Sequence, residues 1–351
     1  MKKATREQTR AHNKRLLLKT VYQEGEISRA AMARATNLTR TTVSQIVAEL
    51  IAEGLVEEIG VGPSDGGKPP VLLAIPPLAR LIIGVDLADS EFRGAVFDIH
   101  GRFLHREHLP VNQRKGDEAL ELALELIGRL VQKASGEVLG IGVGTPGLVD
   151  GRKGIVRQAV NLDWRSLPMA EMLRTRFSLP VYVGNDSHLA ALGQYTFGKH
   201  PKPDNLLVVK VGRGIGMGIV LNGRLHYGDN SGAGEIGHVR AVENGRRCIC
   251  GREGCLETVA STRALVERAQ QLAQFDRGAY INTLVGTPSE INTNTVLRAA
   301  LAGDEQMMEF VRDSGYHLGI SIAHLVGAFD IKHIVIAGSM ARFGEPYLEA
   351  I

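Results

Sequence analysis

The chain has 351 residues, of which 44% are hydrophobic and 23% charged, so an ordinary globular protein of two or three domains is expected. The polar, basic N terminus and the lack of a long apolar run predict neither a secretory signal nor a membrane span. The three cysteines fall within one short segment, which excludes a secreted disulfide scaffold and favours a cytoplasmic protein.

Positive charge is concentrated at the beginning of the chain. Residues 1–45 contain ten Lys or Arg and only three acidic residues, whereas the whole chain has a net charge of +3. The remainder is therefore mildly acidic, at about −4. A basic head on an acidic body indicates that only the head contacts a polyanion.

Three helices are predicted between Thr5 and Gly54. The first ends at Gly25, the second begins after the N-cap Ser28, and the third begins after Thr39. The third helix has an apolar stripe at helical spacing, formed by Val43, Ile46, Val47, Leu50 and Ile51.

The connection between the second and third helices is typical of a helix-turn-helix. Ala33 lets the helices cross closely, and Asn37 tolerates the left-handed backbone of the turn. The opposite face of the third helix carries polar side chains that suit base edges and phosphates, namely Arg40, Thr41, Thr42, Ser44 and Gln45.

Two strands, over residues 55–59 and 71–75, follow the third helix and flank a Gly/Pro-rich wing tip at residues 63–70. Lys68 on this wing is expected to lie near phosphates. We predict a winged helix-turn-helix over residues 1–77 that binds a double-stranded DNA operator. The alternative is a three-helix module that binds another protein.

The remaining residues, 78–351, have an α/β pattern. Strands are predicted at 81–86, 91–99 and 139–143, with a helix at 117–135. A second glycine-punctuated strand pair spans residues 205–224. This repetition of a similar strand pattern predicts two lobes, about 78–200 and about 201–351, separated by a cleft.

Five short motifs occur along this region in a fixed order, at residues 144–147, 161–164, 185–186, 234–238 and 248–257. Together they resemble the ROK family, and the whole chain resembles its repressor branch, which includes xylose-, N-acetylglucosamine- and glucose-responsive regulators. The resemblance implies a two-lobed, actin-like (ribonuclease H-like, sugar-kinase-type) body and a homo-oligomer, either a dimer or a dimer of dimers. Relatives continue past the position of Ile351, so a shortened C terminus is expected.

A sugar site needs several fixed donors and acceptors around a small cavity. The motifs supply such a set in Asn185, Asp186, Glu235, His238 and Glu257. The resemblance implies that these residues hold sugar hydroxyls, with Gly147 and Asn161 completing the rim. In the kinases of the family, the residue that matches Asp186 is the general base.

The loops that would hold ATP phosphates depart from the kinase pattern. Where kinases carry Asp-x-Gly-Gly-Thr, this chain has Ala88 and Asp89, and Asp89 places a carboxylate where phosphate charge would gather. The second loop reads Gly-Arg-Gly, with Arg213 at its centre, and its effect on phosphate binding is ambiguous. We therefore expect a sugar sensor without kinase activity.

One histidine and three cysteines have the spacing His-x9-Cys-x-Cys-x4-Cys, at His238, Cys248, Cys250 and Cys255. One imidazole and three thiolates form a closed tetrahedral zinc site of the structural type. The family pattern has the same ligands. The alternative is three free buried cysteines.

Two other classes of function remain open from the sequence. One is an active sugar kinase, phosphorylating a hexose with ATP, that carries a DNA-binding head. The other is a regulator whose body only dimerises and binds no ligand. Intact glycine-rich loops would favour the first class, and loss of the polar motif residues would favour the second.

Overall fold

The computed structural model describes residues 5–63, 69–87, 90–198 and 203–351. The contacts divide the chain into two compact units. One comprises Met1–Ile83, Ala95–Arg106 and Arg129–Gly140, and the other comprises Gly84–Gly94, Glu107–Gly128 and Ile141–Ile351. Within the described ranges, every helix is too short or too polar to cross a membrane.

The three N-terminal helices are confirmed. They span Arg6–Glu24 (α1), Arg29–Thr36 (α2) and Arg40–Ala52 (α3). Each helix is preceded by an N-cap residue. The hydroxyls of Thr5, Ser28 and Thr39 accept hydrogen bonds from backbone N–H groups of the first turn. In the predicted apolar stripe of α3, four residues are buried in the core of this module and Ile51 is half-buried against it.

The turns around α3 also follow the prediction. Asn37 has a left-handed backbone, with φ of 56°, between α2 and α3. At the other end, Gly54 has a positive φ, and the N–H groups of Leu55 and Val56 both donate to the carbonyl of Leu50. Because these bonds hold Leu55 and Val56 in the turn that ends α3, the following strand begins at Glu57, two residues later than predicted.

The wing is an antiparallel hairpin on a small sheet. The strands of this sheet are Ile27–Ser28 (β1), Glu57–Val61 (β2) and Val71–Ala74 (β3), in the order β1-β3-β2. The hairpin of the wing consists of β2 and β3. The sequence did not predict β1, which pairs Ile27 with Leu73. The predicted phosphate contact Lys68 lies on the wing tip, outside the described residues.

The same compact unit contains a contact between α1 and the turn after residue 98. The rings of Tyr22 and His100 stack with a centroid distance of 5.9 Å and an interplanar angle of 2°. Ile99 packs against the helical core, and its N–H donates to the carbonyl of Pro77. The winged helix-turn-helix is thus joined to the turn after residue 98 by packing contacts, in addition to the covalent connection along the chain.

A five-stranded sheet and a three-stranded sheet follow. The first is built from Leu81–Asp86 (β4), Glu91–Asp98 (β5), Phe103–Pro110 (β6), Val138–Thr145 (β7) and Val181–Asn185 (β11). The second is built from Leu148–Asp150 (β8), Ile155–Ala159 (β9) and Trp164–Leu167 (β10). Their orders are β11-β7-β4-β5-β6 and β10-β9-β8. The accompanying helices are Gly116–Lys133 (α4), Met169–Phe177 (α5) and Asp186–Phe197 (α6).

A four-stranded sheet and five helices complete the second unit. The strands are Leu206–Val211 (β12), Ile215–Leu221 (β13), Arg224–His226 (β14) and Ile334–Ala337 (β15), in the order β14-β13-β12-β15. The helices are Glu257–Ala260 (α7), Thr262–Phe275 (α8), Thr293–Leu301 (α9), Glu305–Phe329 (α10) and Glu345–Ala350 (α11).

The two faces of β12 belong to different cores. Leu206 and Val208 pack with Ala191 of α6 in one cluster. Leu207 and Val209 lie in the large cluster formed with α8 and α10. Because strand side chains alternate between faces, Lys210 shares the face of Leu206 and Val208, which is the side of α6.

The turn residue Asn37 offers a test of the helix-turn-helix geometry. Asn37→Ala should lower the stability of α2 and α3 by about 1 kcal/mol, because alanine tolerates the left-handed region poorly. Asn37→Gly should leave it unchanged or raise it. Hydrogen exchange of the α2 and α3 amides in the full chain measures both effects. Equal behaviour of the two variants would contradict this account of the turn.

Candidate functional site

The N terminus of α6 organises the site. Asn185 is its N-cap, and the side-chain oxygen accepts hydrogen bonds from the N–H groups of Ser187 (2.9 Å) and His188 (3.1 Å). The amide nitrogen donates to the carbonyl of Gly147 at 2.9 Å. These three bonds join two of the predicted sugar-binding residues, and one amide hydrogen of Asn185 remains for a ligand.

Asp186 is the first residue of α6 and makes an ion pair with Lys210. The Lys210 Nζ lies 2.7 Å from Oδ2 of Asp186 and 3.6 Å from Oδ2 of Asp86. Burial on its own lowers the pKa of Lys210, but the attraction of Asp186 and Asp86 outweighs it and raises that pKa above its ordinary value. The ammonium therefore stays protonated between the two carboxylates.

The segment from Gly234 to His238 lies close against β13. The N–H of Met217 donates to the carbonyl of Gly234, whose φ is +92° and whose added Cβ would come 1.9 Å from the carbonyl oxygen of Met217. This close approach places Glu235 beside other acids. Burial, followed by repulsion from Asp186 and Glu257, raises the pKa of Glu235 to about 6.

Glu257 is buried at the start of α7, and both of its oxygens already have partners. Oε2 accepts a hydrogen bond from the N–H of Ile215 at 3.2 Å, and Oε1 accepts one from Arg263 at 3.2 Å. The first bond ties Glu257 to the turn between β12 and β13. A sugar hydroxyl would have to share an oxygen with these donors, so the sugar-binding role of Glu257 stays a prediction.

The predicted metal ligands converge. One ligand atom from each of His238, Cys248, Cys250 and Cys255 can be chosen so that all four lie within 4.8 Å of one another. Cys250 and Cys255 have their sulfurs 3.7 Å apart, and Sγ of Cys248 lies 3.5 Å from Nδ1 of His238. A tetrahedral zinc ion needs about 3.8 Å between sulfurs and about 3.6 Å between sulfur and nitrogen, so the donor set fits zinc.

His238 contacts both the cysteine cluster and the acidic group. Its Nδ1 faces Cys248, and its Nε2 lies 3.9 Å from Oε2 of Glu235. A histidine that binds a metal through one nitrogen commonly points the other at a carboxylate, which fixes the ring. The two roles predicted for His238 therefore use different atoms.

Among the described residues, Asn161 and Arg213 make none of these contacts. Asn161 is exposed on the short 3₁₀ helix Val160–Leu162, so its place on the sugar rim stays a prediction. Ala88 and Asp89, where the first phosphate loop departs from the kinase pattern, lie outside the described residues. Arg213 is exposed on the tight turn in which the N–H of Gly212 donates to the carbonyl of Gly214.

The predicted DNA-contacting face of α3 is accessible. Arg40, Thr41, Ser44 and Gln45 are exposed, and Thr42 is half-buried because its hydroxyl bonds to that of the N-cap Thr39. Accessible arginine, hydroxyl and amide groups at the start of a recognition helix are the groups that read base edges and bind phosphates. DNA contact by these five residues stays a prediction.

The sequence analysis missed Lys210 and Arg263, which supply positive charge to the acidic group. A signal for Lys210 was available, since it is the one charged residue in the run from Leu206 to Val211. A lysine on the inner face of a strand needs a partner. Arg263 lies on the amphipathic α8 and carries no comparable signal.

The chain matches two family models. One, described as the ROK family, covers residues 82–351, and the other, described as winged helix-turn-helix DNA-binding, covers residues 10–57. The xylose repressor of Caldicellulosiruptor bescii is 34% identical over 346 residues, which cover 97% of this chain and 86% of the relative.

Solved structures confirm the predicted fold. A ROK family transcriptional regulator, described as a homologue of the Escherichia coli MLC protein, is 27% identical, with a TM-score of 0.80 over 97% of this chain and 86% of its own. The ROK family glucokinase of Streptomyces griseus, in complex with glucose and AMPPNP, is 31% identical, with a TM-score of 0.72 over 77% of this chain and 87% of its own.

The two functions of the Asn185 side chain can be separated by substitution. Asn185→Ala should reduce the free energy of unfolding by about 2–3 kcal/mol, because both the cap and the bond to Gly147 are lost. Asn185→Ser keeps a capping oxygen and should lose only about 1 kcal/mol. Urea unfolding of the full chain measures the two values. If serine costs as much as alanine, the cap contributes nothing here.

Proposed function

The chain belongs to the ROK family, and from that premise we propose that it is a sugar-responsive, DNA-binding transcriptional regulator that represses carbohydrate-utilisation genes. The observation that carries this proposal is the presence of both modules in one chain, a winged helix-turn-helix at residues 10–57 and a ROK body at residues 82–351. Its place of action is then the cytoplasm, where the DNA is accessible.

The winged helix-turn-helix binds an operator through α3 in this proposal. A symmetric dimer of such heads favours a pseudo-palindromic operator whose half-sites are separated by whole helical turns. The name of the relative from Caldicellulosiruptor bescii, a xylose repressor, supports the direction of the effect. The sugar releases the operator, as in a derepressed operon.

The body binds the sugar without consuming ATP in this proposal. The residues that line the site are Gly147, Asn161, Asn185, Asp186, Glu235, His238 and Glu257. Two sequence features of the first phosphate loop support the loss of phosphoryl transfer, the side chain of Ala88 in place of a glycine and the carboxylate of Asp89. The similarity to a glucokinase and the retained Asp186 favour the second candidate, an active kinase with a DNA-binding head.

A structural zinc ion completes the proposed site. His238, Cys248, Cys250 and Cys255 hold it, and it supplies a fixed, closed coordination without taking part in a reaction. With Nδ1 toward the metal, the Nε2 of His238 would face Glu235, from which it lies 3.9 Å away. The metal ligands would thus fix the His238 ring beside one carboxylate of the proposed sugar site.

Two substitutions should separate DNA binding from sugar sensing. Arg40→Ala should weaken operator binding and leave sugar binding unchanged, because Arg40 is exposed on α3. Asp186→Asn should leave sugar-free operator binding unchanged and weaken or abolish the response to sugar. Wild-type operator affinity should fall by about 5- to 150-fold on addition of the sugar, the range typical of allosteric coupling.

The measurement is an operator titration with and without D-xylose, N-acetylglucosamine or D-glucose, using an operator selected by the full chain from random duplex DNA. ATP consumption is followed in the same samples. Rapid sugar-dependent ATP turnover would restore the kinase candidate. Unchanged operator affinity with every sugar that binds would remove the sensor function.

The zinc proposal predicts about one zinc ion per chain in protein purified without added zinc. Cys250→Ser should lose the metal and the sugar response before it loses the overall fold. Arg247→Ala, on the same segment, is the matched control and should keep both. Metal analysis measures the zinc content, and circular dichroism of the same samples measures the fold. Metal-free protein that still responds to its sugar would contradict the proposal.

A further inference from the structure

Lys210 is a charged residue in a strand that is otherwise apolar and buried. The four preceding residues of β12, Leu206 to Val209, are fully buried, and Lys210 follows on the face that packs on α6. Its side chain is 22% exposed. Placing an ammonium group there costs free energy unless charged partners meet it, so the position calls for a specific reason.

The partners are the carboxylates nearest the start of α6. The Nζ of Lys210 lies 2.7 Å from Asp186, whose side chain is only 14% exposed, and 3.6 Å from the more exposed Asp86. The 2.7 Å contact has the length of a strong charge-assisted hydrogen bond. Lys210 lies on β12, which packs against α6, whereas Asp186 belongs to α6 itself. The bond therefore holds the Asp186 side chain from a different element of the fold.

Asp186 would be hard to hold in place without this contact. A second carboxylate, Glu235, lies near enough that repulsion from Asp186, after burial, contributes to the raised pKa of Glu235. Arg263 neutralises Glu257 and has its own second partner in Glu267. Among the described residues, Lys210 is the cation that pairs with Asp186.

We propose that Lys210 is a positioning residue of the sugar site, whose ammonium holds Asp186 in place as an acceptor for a sugar hydroxyl. This inference rests on the proposed function, since it presumes that the site binds a sugar. The bond from Lys210 fixes the direction of the Asp186 carboxylate, as an acceptor for a sugar hydroxyl requires.

The test is a double-mutant cycle on sugar affinity in the full-length protein, measured by isothermal titration calorimetry with D-xylose, N-acetylglucosamine and D-glucose. Lys210→Met should weaken binding by about 10- to 100-fold, the value of one hydrogen bond to a charged group. Lys210→Arg, which keeps the charge, should restore affinity to within about threefold of the wild type. Lys332→Met, at an exposed lysine of the same unit, is the control and should bind as the wild type.

The cycle separates positioning from a general structural role. In an Asp186→Asn background, Lys210→Met should cause no further loss, because the partner is already gone. If Lys210→Met binds sugar as the wild type does, or loses the same factor in both backgrounds, the inference is wrong. Lys210→Gln replaces Lys210→Met if circular dichroism shows that the methionine variant is unfolded. Failure of every sugar to bind the wild type would instead overturn the proposed function, and this inference with it.

Discussion

Mutual repulsion among acidic side chains is the constraint around which the ligand site is built. Asp186 and Glu257 both repel Glu235, and carboxylates in such surroundings need a donor or a cation to remain in place. The structure supplies Lys210 for Asp186 and Arg263 with a backbone N–H for Glu257, while the Nε2 of His238 lies 3.9 Å from Glu235. A site rich in fixed acceptors suits a ligand with several hydroxyl donors, which is the chemistry of a sugar.

Several separate segments of the fold have to meet for this arrangement to form. The Asn185 cap holds the loop at Gly147, β12 brings Lys210 to α6, and the tight segment at Gly234 brings Glu235. The cysteine cluster then fixes His238 from the opposite side of its ring. In the proposed function, a sugar that bridges these segments favours one arrangement of them over another, and only such a difference in affinity can change DNA binding.

The sequence predicted what local rules determine, and it missed what tertiary packing determines. The caps at Ser28 and Thr39, the left-handed Asn37 and the ligand spacing of the cysteine cluster each follow from neighbouring residues, and the structure has all four features. Strand β1 was missed because a strand of two residues has no detectable periodicity in the sequence. It forms because its residues pair with β3, which is distant in the sequence. The ion pairs of Lys210 and Arg263 join residues distant in the sequence, which no local pattern can pair.

The central claim, that sugar binding in the body controls DNA binding by the head, has one direct test. Trp164 is the only tryptophan and begins β10, three positions after the predicted rim residue Asn161 in the sequence. Sugar is titrated into the complex of the protein with a labelled operator, and the Trp164 fluorescence and the anisotropy of the DNA label are followed together. The account predicts that both signals change with the same midpoint. A fluorescence change that saturates while the operator stays fully bound would contradict it.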